Sequence, residues 1–183
     1  MSDYRMGKNV TWAIEEAHRS VSPESLLGTE ILEILLSYYF WQKIPSELNS
    51  DNALESFRTL KFSQLLCDDI ILRLCKFSDG DSRSLSFEQA AKELRKRPAT
   101  RDRVEDIEPL IKEYKTTTQS IRNHRNTRIA HLAKSDRTHL KPPTEIREAI
   151  QLALQIIDQL SGDQNEYRIE GIELRDAMLS DHT

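Results

Sequence analysis

At 183 residues, with a net charge of -4, 38% hydrophobic and 31% charged residues and only five glycines and six prolines, the chain is near the usual size of one domain and long enough to bury a core. That balance excludes a disordered chain and favours helix over an all-β fold, which needs more turn formers. Cys67 and Cys75 stand apart without the close pairs of a zinc site or disulfide framework, the N-terminus MSDYRMGKNVTW lacks a signal-peptide pattern, and no apolar run approaches the roughly 20 residues that span a bilayer, so two reduced core thiols, no membrane contact and a cytoplasmic location are expected.

In chain order, Asn9 or Thr11 caps a first helix to about Ser20, with Trp12, Ile14, Ala17 and Val21 toward the core, before Ser22-Pro23 breaks it. The next, from about Pro23 to Trp41, is apolar nearly all round, which predicts burial against more than one neighbour. Pro45 ends that stretch, and Ser50 or Asp51 caps a long helix to about Phe77. Its Phe57, Leu60, Leu65, Asp68, Leu72 and Cys75 at helical spacings, with Ile70, Ile71 and Leu74 alongside, predict the centre of a bundle. Ser86 and Gln89 have the capping-box spacing for a short helix to about Leu94, after the turn-rich SDGDSRSLSF. A helical run from Val104 to about Ala133 follows the polar RKRPATRDR, with Ile107, Leu110, Ile111, Tyr114, Thr118, Ile121, Ile129 and Leu132 near one stripe, and Pro109 early in it predicts a first-turn boundary or kink. Thr144 caps a last amphipathic helix carrying Ile146, Ile150, Leu152, Leu154, Ile157 and Leu160, which ends at Ser161-Gly162. The expected organisation is one helical domain over 1–162 and a partly ordered tail over 163–183. No repeat and no alternating strand pattern occurs, so the fold class is all-α, an up-and-down bundle of about four to five long helices.

The charge is uneven: between Lys92 and Lys141 there are fourteen Lys plus Arg against seven Asp plus Glu, a local balance that attracts phosphates even in an acidic chain. Within it lies RNHRNTRIAH, residues 122–131. Taking about 100° per residue from Ile121, Arg125 falls at about 40° and Arg128 at about -20°, inside the apolar stripe, while His124 and His131 lie along one edge. Arginine is ordinarily excluded from an inward face, so function is the first explanation to weigh. The bland alternative is that the arginines snorkel outward or pair with acids such as Asp68 or Asp69 on the neighbouring helix. His124, Arg128 and His131 share a face, but the intervening cation and lack of a carboxylate at matching spacing argue against a metal site there. Asp68-Asp69 reads as helix-surface acid with Arg73 as counter-ion, and Tyr38, Tyr39, Phe40 and Trp41 read as core or dimer packing before base stacking.

The stretch RNTRIAH, Arg125 to His131, resembles the signature of the HEPN superfamily: an Arg, a polar residue, then a His after four to six intervening residues. Arg125, Asn126 and His131 match it with five intervening residues. The run ILRLCKFSDGDSRSLSF, residues 71–87, followed some forty residues later by RNTRIAH, is similar to the abortive-infection U-type (AbiU2-like) branch, over about Ala53 to Leu160. The resemblance implies a small helical bundle, a metal-independent ribonuclease acting as a toxin or phage-defence effector, a homodimer with a composite active site, and a cognate antitoxin, of nucleotidyltransferase type by analogy.

The residues suit that chemistry. RNA is cut without metal or other cofactor when its 2'-hydroxyl attacks the adjacent phosphate, which needs proton transfers and cations for the charge growing on phosphorus. The expected roles are proton transfer for His131, phosphate stabilisation for Arg125 and orientation of the histidine or substrate for Asn126. Arg122, His124, Arg128 and Lys134 are expected to line the approach of the RNA backbone. In a regular helix Arg125 and His131 stand about 240° apart, which three arrangements relieve: a bulge or an end near Ala130, the reach of arginine, or two motifs meeting across a twofold axis. The last is favoured. The other functional class is a non-catalytic RNA-binding or dimeric scaffolding bundle that keeps the motif as an anchor, and a purely structural four-helix protein is the third.

Overall fold

The computed structural model describes residues 23–44, 53–80, 85–129 and 144–179. The expected first helix at Asn9–Ser20, the capping residues Ser50 and Asp51, and the site residues His131 and Lys134 lie outside them.

Helix α1, Pro23–Lys43, opens at the expected proline and turns Leu27, Ile31, Ile34, Leu35 and Tyr38 into the core. Helix α2, Ala53–Ser78, runs antiparallel to it. Three side-chain contacts fix that register: the Trp41 indole N–H donates to Ser63 Oγ (3.1 Å), the Ser37 hydroxyl to Asp69 (3.0 Å), and Arg73 binds both Glu30 (2.9 Å) and Asp69 (3.0 Å).

Only the second half of α2 forms the core, a departure from the expected central helix. Cys67, Ile70, Ile71, Leu74, Cys75 and Phe77 are buried, whereas Phe57, Leu60, Leu65 and Leu72, expected inward, are between 41% and 66% exposed. Two causes act. The rotation that carries Ile70 and Leu74 inward puts Leu65 and Leu72 about half a turn away. And α1 ends just beyond the level of Ser63, so Leu60, on the inward line, has no α1 side chain to meet.

Helix α3, Phe87–Arg95, begins as the spacing predicts, with Ser86 Oγ accepting the Gln89 N–H, and buries Phe87, Ala90, Ala91 and Leu94. A 3₁₀ turn, Pro98–Thr100, leads into α4, Arg101–His124. Pro109 sets no boundary there: it lies well inside α4 on the exposed side, so the missing N–H removes one helix bond at the solvent face. The inward stripe is Val104, Ile107, Ile111, Tyr114, Thr118 and Ile121. Tyr114 joins α4 to α2, its hydroxyl donating to the Leu74 carbonyl (2.7 Å) and its ring meeting Phe87 edge-on (5.0 Å), while Phe87 stacks on Phe77 (4.7 Å).

Helix α5, Ile146–Ser161, packs its apolar face against α4 and α1. Its N-cap is Glu145 rather than Thr144, whose hydroxyl is turned to the Glu145 carboxylate (3.3 Å). Gly162 ends the helix at φ 85°, its N–H donating to the Asp158 carbonyl (2.8 Å), the left-handed cap that glycine accepts without strain. Beyond it, strands β1 (Arg168–Ile169) and β2 (Ile172–Glu173) form an antiparallel hairpin, and a short helix α6 (Leu174–Leu179) returns to α1. Tyr167, Leu174 and Met178 are buried, and Arg175 grips the Asp158 carboxylate through both terminal nitrogens (2.8 and 3.0 Å). Residues 163–179 thus join the packed body. The fold is the expected all-α bundle, with this small hairpin added.

Candidate functional site

Residues 122–129 of the cationic stretch sit where the C-terminal ends of α2 and α4 meet. From Arg125 to Ile129 the backbone winds as a π-helix, RNTRI, directly after α4. Its i→i+5 bonds widen the turn, so each residue advances by less than the roughly 100° of an α-helix, and such segments are found at functional sites.

Arg125 is half-buried at the first residue of this segment. Its Nε donates to Asn126 Oδ1 (3.3 Å), and its Nη1 stands 3.5 Å from the Asp79 carboxylate just past the end of α2. The acid that meets the inward arginine is thus Asp79 rather than Asp68 or Asp69. Asp69 is bound to Arg73 and Ser37. One turn back along α4, Arg122 is half-buried and its Nη2 donates to the Lys115 carbonyl (2.9 Å). His124, expected along the RNA approach, is turned inward and is 9% exposed, so the structure places it behind the surface. Asn126 is exposed. Arg128 belongs to the π segment, and only its backbone is described.

Beneath these charges lies the Cys75 thiol, fully buried. Burial pushes its ionisation up to about 11; Arg125 opposes that rise, Asp79 adds to it, and Arg122 again opposes it. The two arginines and the carboxylate therefore act on one shared, poorly hydrated spot. Burial also raises the Tyr114 phenol well above its ordinary value, leaving a neutral donor under the site. Among the described residues no three His, Cys, Asp or Glu side chains are grouped to hold a metal ion.

The structure brings Arg122, Arg125 and Asn126 to one junction, with His124 just behind. Asp79 is the site residue that sequence reasoning passed over, since in SDGDS it reads as one more turn former. Its position is long-range information: it lies 46 positions before Arg125 in sequence and 3.5 Å from it in space.

A family model described as AbiU2, of the HEPN group, matches residues 25–165. The chain belongs to the AbiU2 family of HEPN proteins. The match runs from the start of α1 to the residues after α5 and contains the whole Arg125–His131 motif of this AbiU2 chain. No curated protein and no solved structure matches it. No described helix of the AbiU2 chain is long and apolar enough to cross a membrane.

Proposed function

We propose that this AbiU2-family protein is a metal-independent endoribonuclease of HEPN type that acts in the cytoplasm as a toxin or phage-defence effector. The observation that carries the reading is the Arg125–Asn126 pair at the mouth of the π segment, within the family's motif and beside Arg122. An arginine offers five N–H donors in a planar fork. The contacts to Asn126 and Asp79 engage Nε and Nη1 of that fork.

In the reaction, the RNA 2'-oxygen forms a bond to the adjacent phosphorus as its proton leaves, and the bond from phosphorus to the 5'-oxygen breaks as that oxygen takes up a proton. The products are a 2',3'-cyclic phosphate and a 5'-hydroxyl. Arg125 stabilises the charge growing on the non-bridging oxygens, His131 supplies the proton-transfer group, and Asn126 orients. Arg122, Arg128 and Lys134 hold the RNA backbone. A homodimer that brings two motifs together about a twofold axis completes the constellation, and a cognate antitoxin restrains it; these partners come from the family resemblance.

The test is incubation of purified protein with total RNA in excess chelator, comparing wild type with His131→Ala and Arg125→Ala, each checked for folding by circular dichroism. Cleavage by wild type alone, leaving 2',3'-cyclic ends, is the expected result. Intact RNA with all three proteins folded favours the second reading, a non-catalytic RNA-binding or scaffolding bundle. The Arg125–Asp79 ion pair is what supports that alternative, because it gives the motif a structural task as well.

A further inference from the structure

The Arg125 guanidinium meets a carboxylate in the position where an RNA phosphate is expected, and that carboxylate is firmly placed. Asp79 follows directly on α2, its N–H donating to the Lys76 carbonyl (3.2 Å), after a last turn in which Phe77 is buried and the buried Ser78 hydroxyl donates to the Cys75 carbonyl (3.1 Å). Across from it, Arg125 is held at the start of the π segment by its own N–H, which reaches the carbonyls of Ile121 and Arg122. Two fixed backbones thus carry the two charges to 3.5 Å, and Asn126 Oδ1 takes the guanidinium from its Nε side. Both charges act on the buried Cys75 thiol, which marks the junction as less screened than open water.

We propose that Asp79 is a positioning residue for Arg125 that also competes with RNA phosphate for it. Together with Asn126 it fixes the plane of the guanidinium so that the Nη edge faces the incoming phosphate, and its negative charge weakens phosphate binding, so the resting site is partly neutralised. This rests on the reading of Arg125 as a phosphate ligand. Asparagine at position 79 keeps an oxygen that accepts from Nη1 while removing the charge; alanine removes both. The two functions of Asp79 are therefore separable.

The experiment measures binding of a short single-stranded RNA by fluorescence anisotropy at fixed low salt, and kcat and KM for RNA cleavage in chelator, for wild type, Asp79→Asn, Asp79→Ala, Arg125→Ala and the double variant Asp79→Asn/Arg125→Ala, with thermal melts alongside. Removing the charge is expected to tighten RNA binding about two- to fivefold in both single variants of Asp79, as for a partly exposed pair. That gain is expected to vanish in the Arg125→Ala background. Asp79→Asn is expected to keep kcat within about twofold with a lower KM, while Asp79→Ala loses about tenfold in kcat at an unchanged melting temperature. The proposal is overturned if neither Asp79 variant changes RNA affinity, if the gain persists without Arg125, or if alanine and asparagine give the same kcat. It is also overturned if no RNA binds at low salt. Should wild type bind RNA yet cleave none, the nuclease reading falls, and the binding cycle alone then decides whether Asp79 governs Arg125.

Discussion

Tyr114 holds the floor of the site to the bundle, and its two attachments can be removed one at a time. Tyr114→Phe deletes the hydroxyl that donates to the Leu74 carbonyl at 2.7 Å while leaving the ring against Phe87 and Phe77. Both partners are buried, so a net loss of about 1–2 kcal/mol is expected, the cost of a buried hydrogen bond whose acceptor is left short. Tyr114→Ala also removes the fully buried ring and leaves a cavity, which raises the loss to about 4–6 kcal/mol. For a chain of this size the first corresponds to a fall in melting temperature of about 2–8 °C, and the second takes a large share of a typical stability of about 5–15 kcal/mol. Guanidinium unfolding followed by far-ultraviolet circular dichroism, with the slope checked for constancy, reads both. The reasoning fails if Tyr114→Phe is within about 0.3 kcal/mol of wild type, or if it costs as much as Tyr114→Ala.

Three further outcomes are expected. Cys75 ionises at about 11 in the folded chain against an ordinary 9.0, so its contribution is whole below pH 9 and is lost as pH rises from 9 through 11. The stability gap between wild type and Cys75→Ala should narrow by about 1–3 kcal/mol between pH 8 and pH 11, and a constant gap in urea titrations counts against this. Gly162→Ala should cost about 1–2 kcal/mol, because φ is 85° and the new Cβ would also displace the Arg103 guanidinium, whereas Gly28→Ala, inside α1 with nothing within 4 Å of a new Cβ, should stabilise by about 0.5–1 kcal/mol; thermal melts of the pair that rank the other way refute both. Ile70→Ala should cost about 2–5 kcal/mol and Leu65→Ala under about 1 kcal/mol, since Ile70 is buried and Leu65 is 66% exposed. Equal losses in denaturant unfolding would mean that α2 faces the core differently.

What the sequence made legible was local. The helices at Pro23–Lys43, Phe87–Arg95 and Ile146–Ser161 follow from a proline break, a Ser86–Gln89 cap and a Gly162 stop, each decided within a few residues. The orientation of α2 was not legible, because its Leu65–Leu72 side and its Ile70–Leu74 side are both apolar and only the packing against α1 and α4 chooses between them. The hairpin at Arg168–Glu173 escaped because strands of two residues carry no period. At the site, the helical wheel put Arg125 inside the apolar stripe and His124 at its edge, whereas Arg125 is half-buried and His124 is the more deeply buried of the two; a wheel drawn at a constant angle contains no π turn, and the pairing with Asp79 cannot be seen without the fold.

The unequal burial along α2 has a consequence in time. Its first half carries the exposed Phe57, Leu60, Phe62 and Leu65, while its second half is locked by the buried Ile70, Leu74 and Phe77. Amide protons of the first half should exchange with solvent through local fraying, and those near Leu74 only when the whole bundle opens. One continuous helix then keeps two clocks, and Asp79 follows the slow one, so the junction with Arg125 stays assembled through every excursion of the far end.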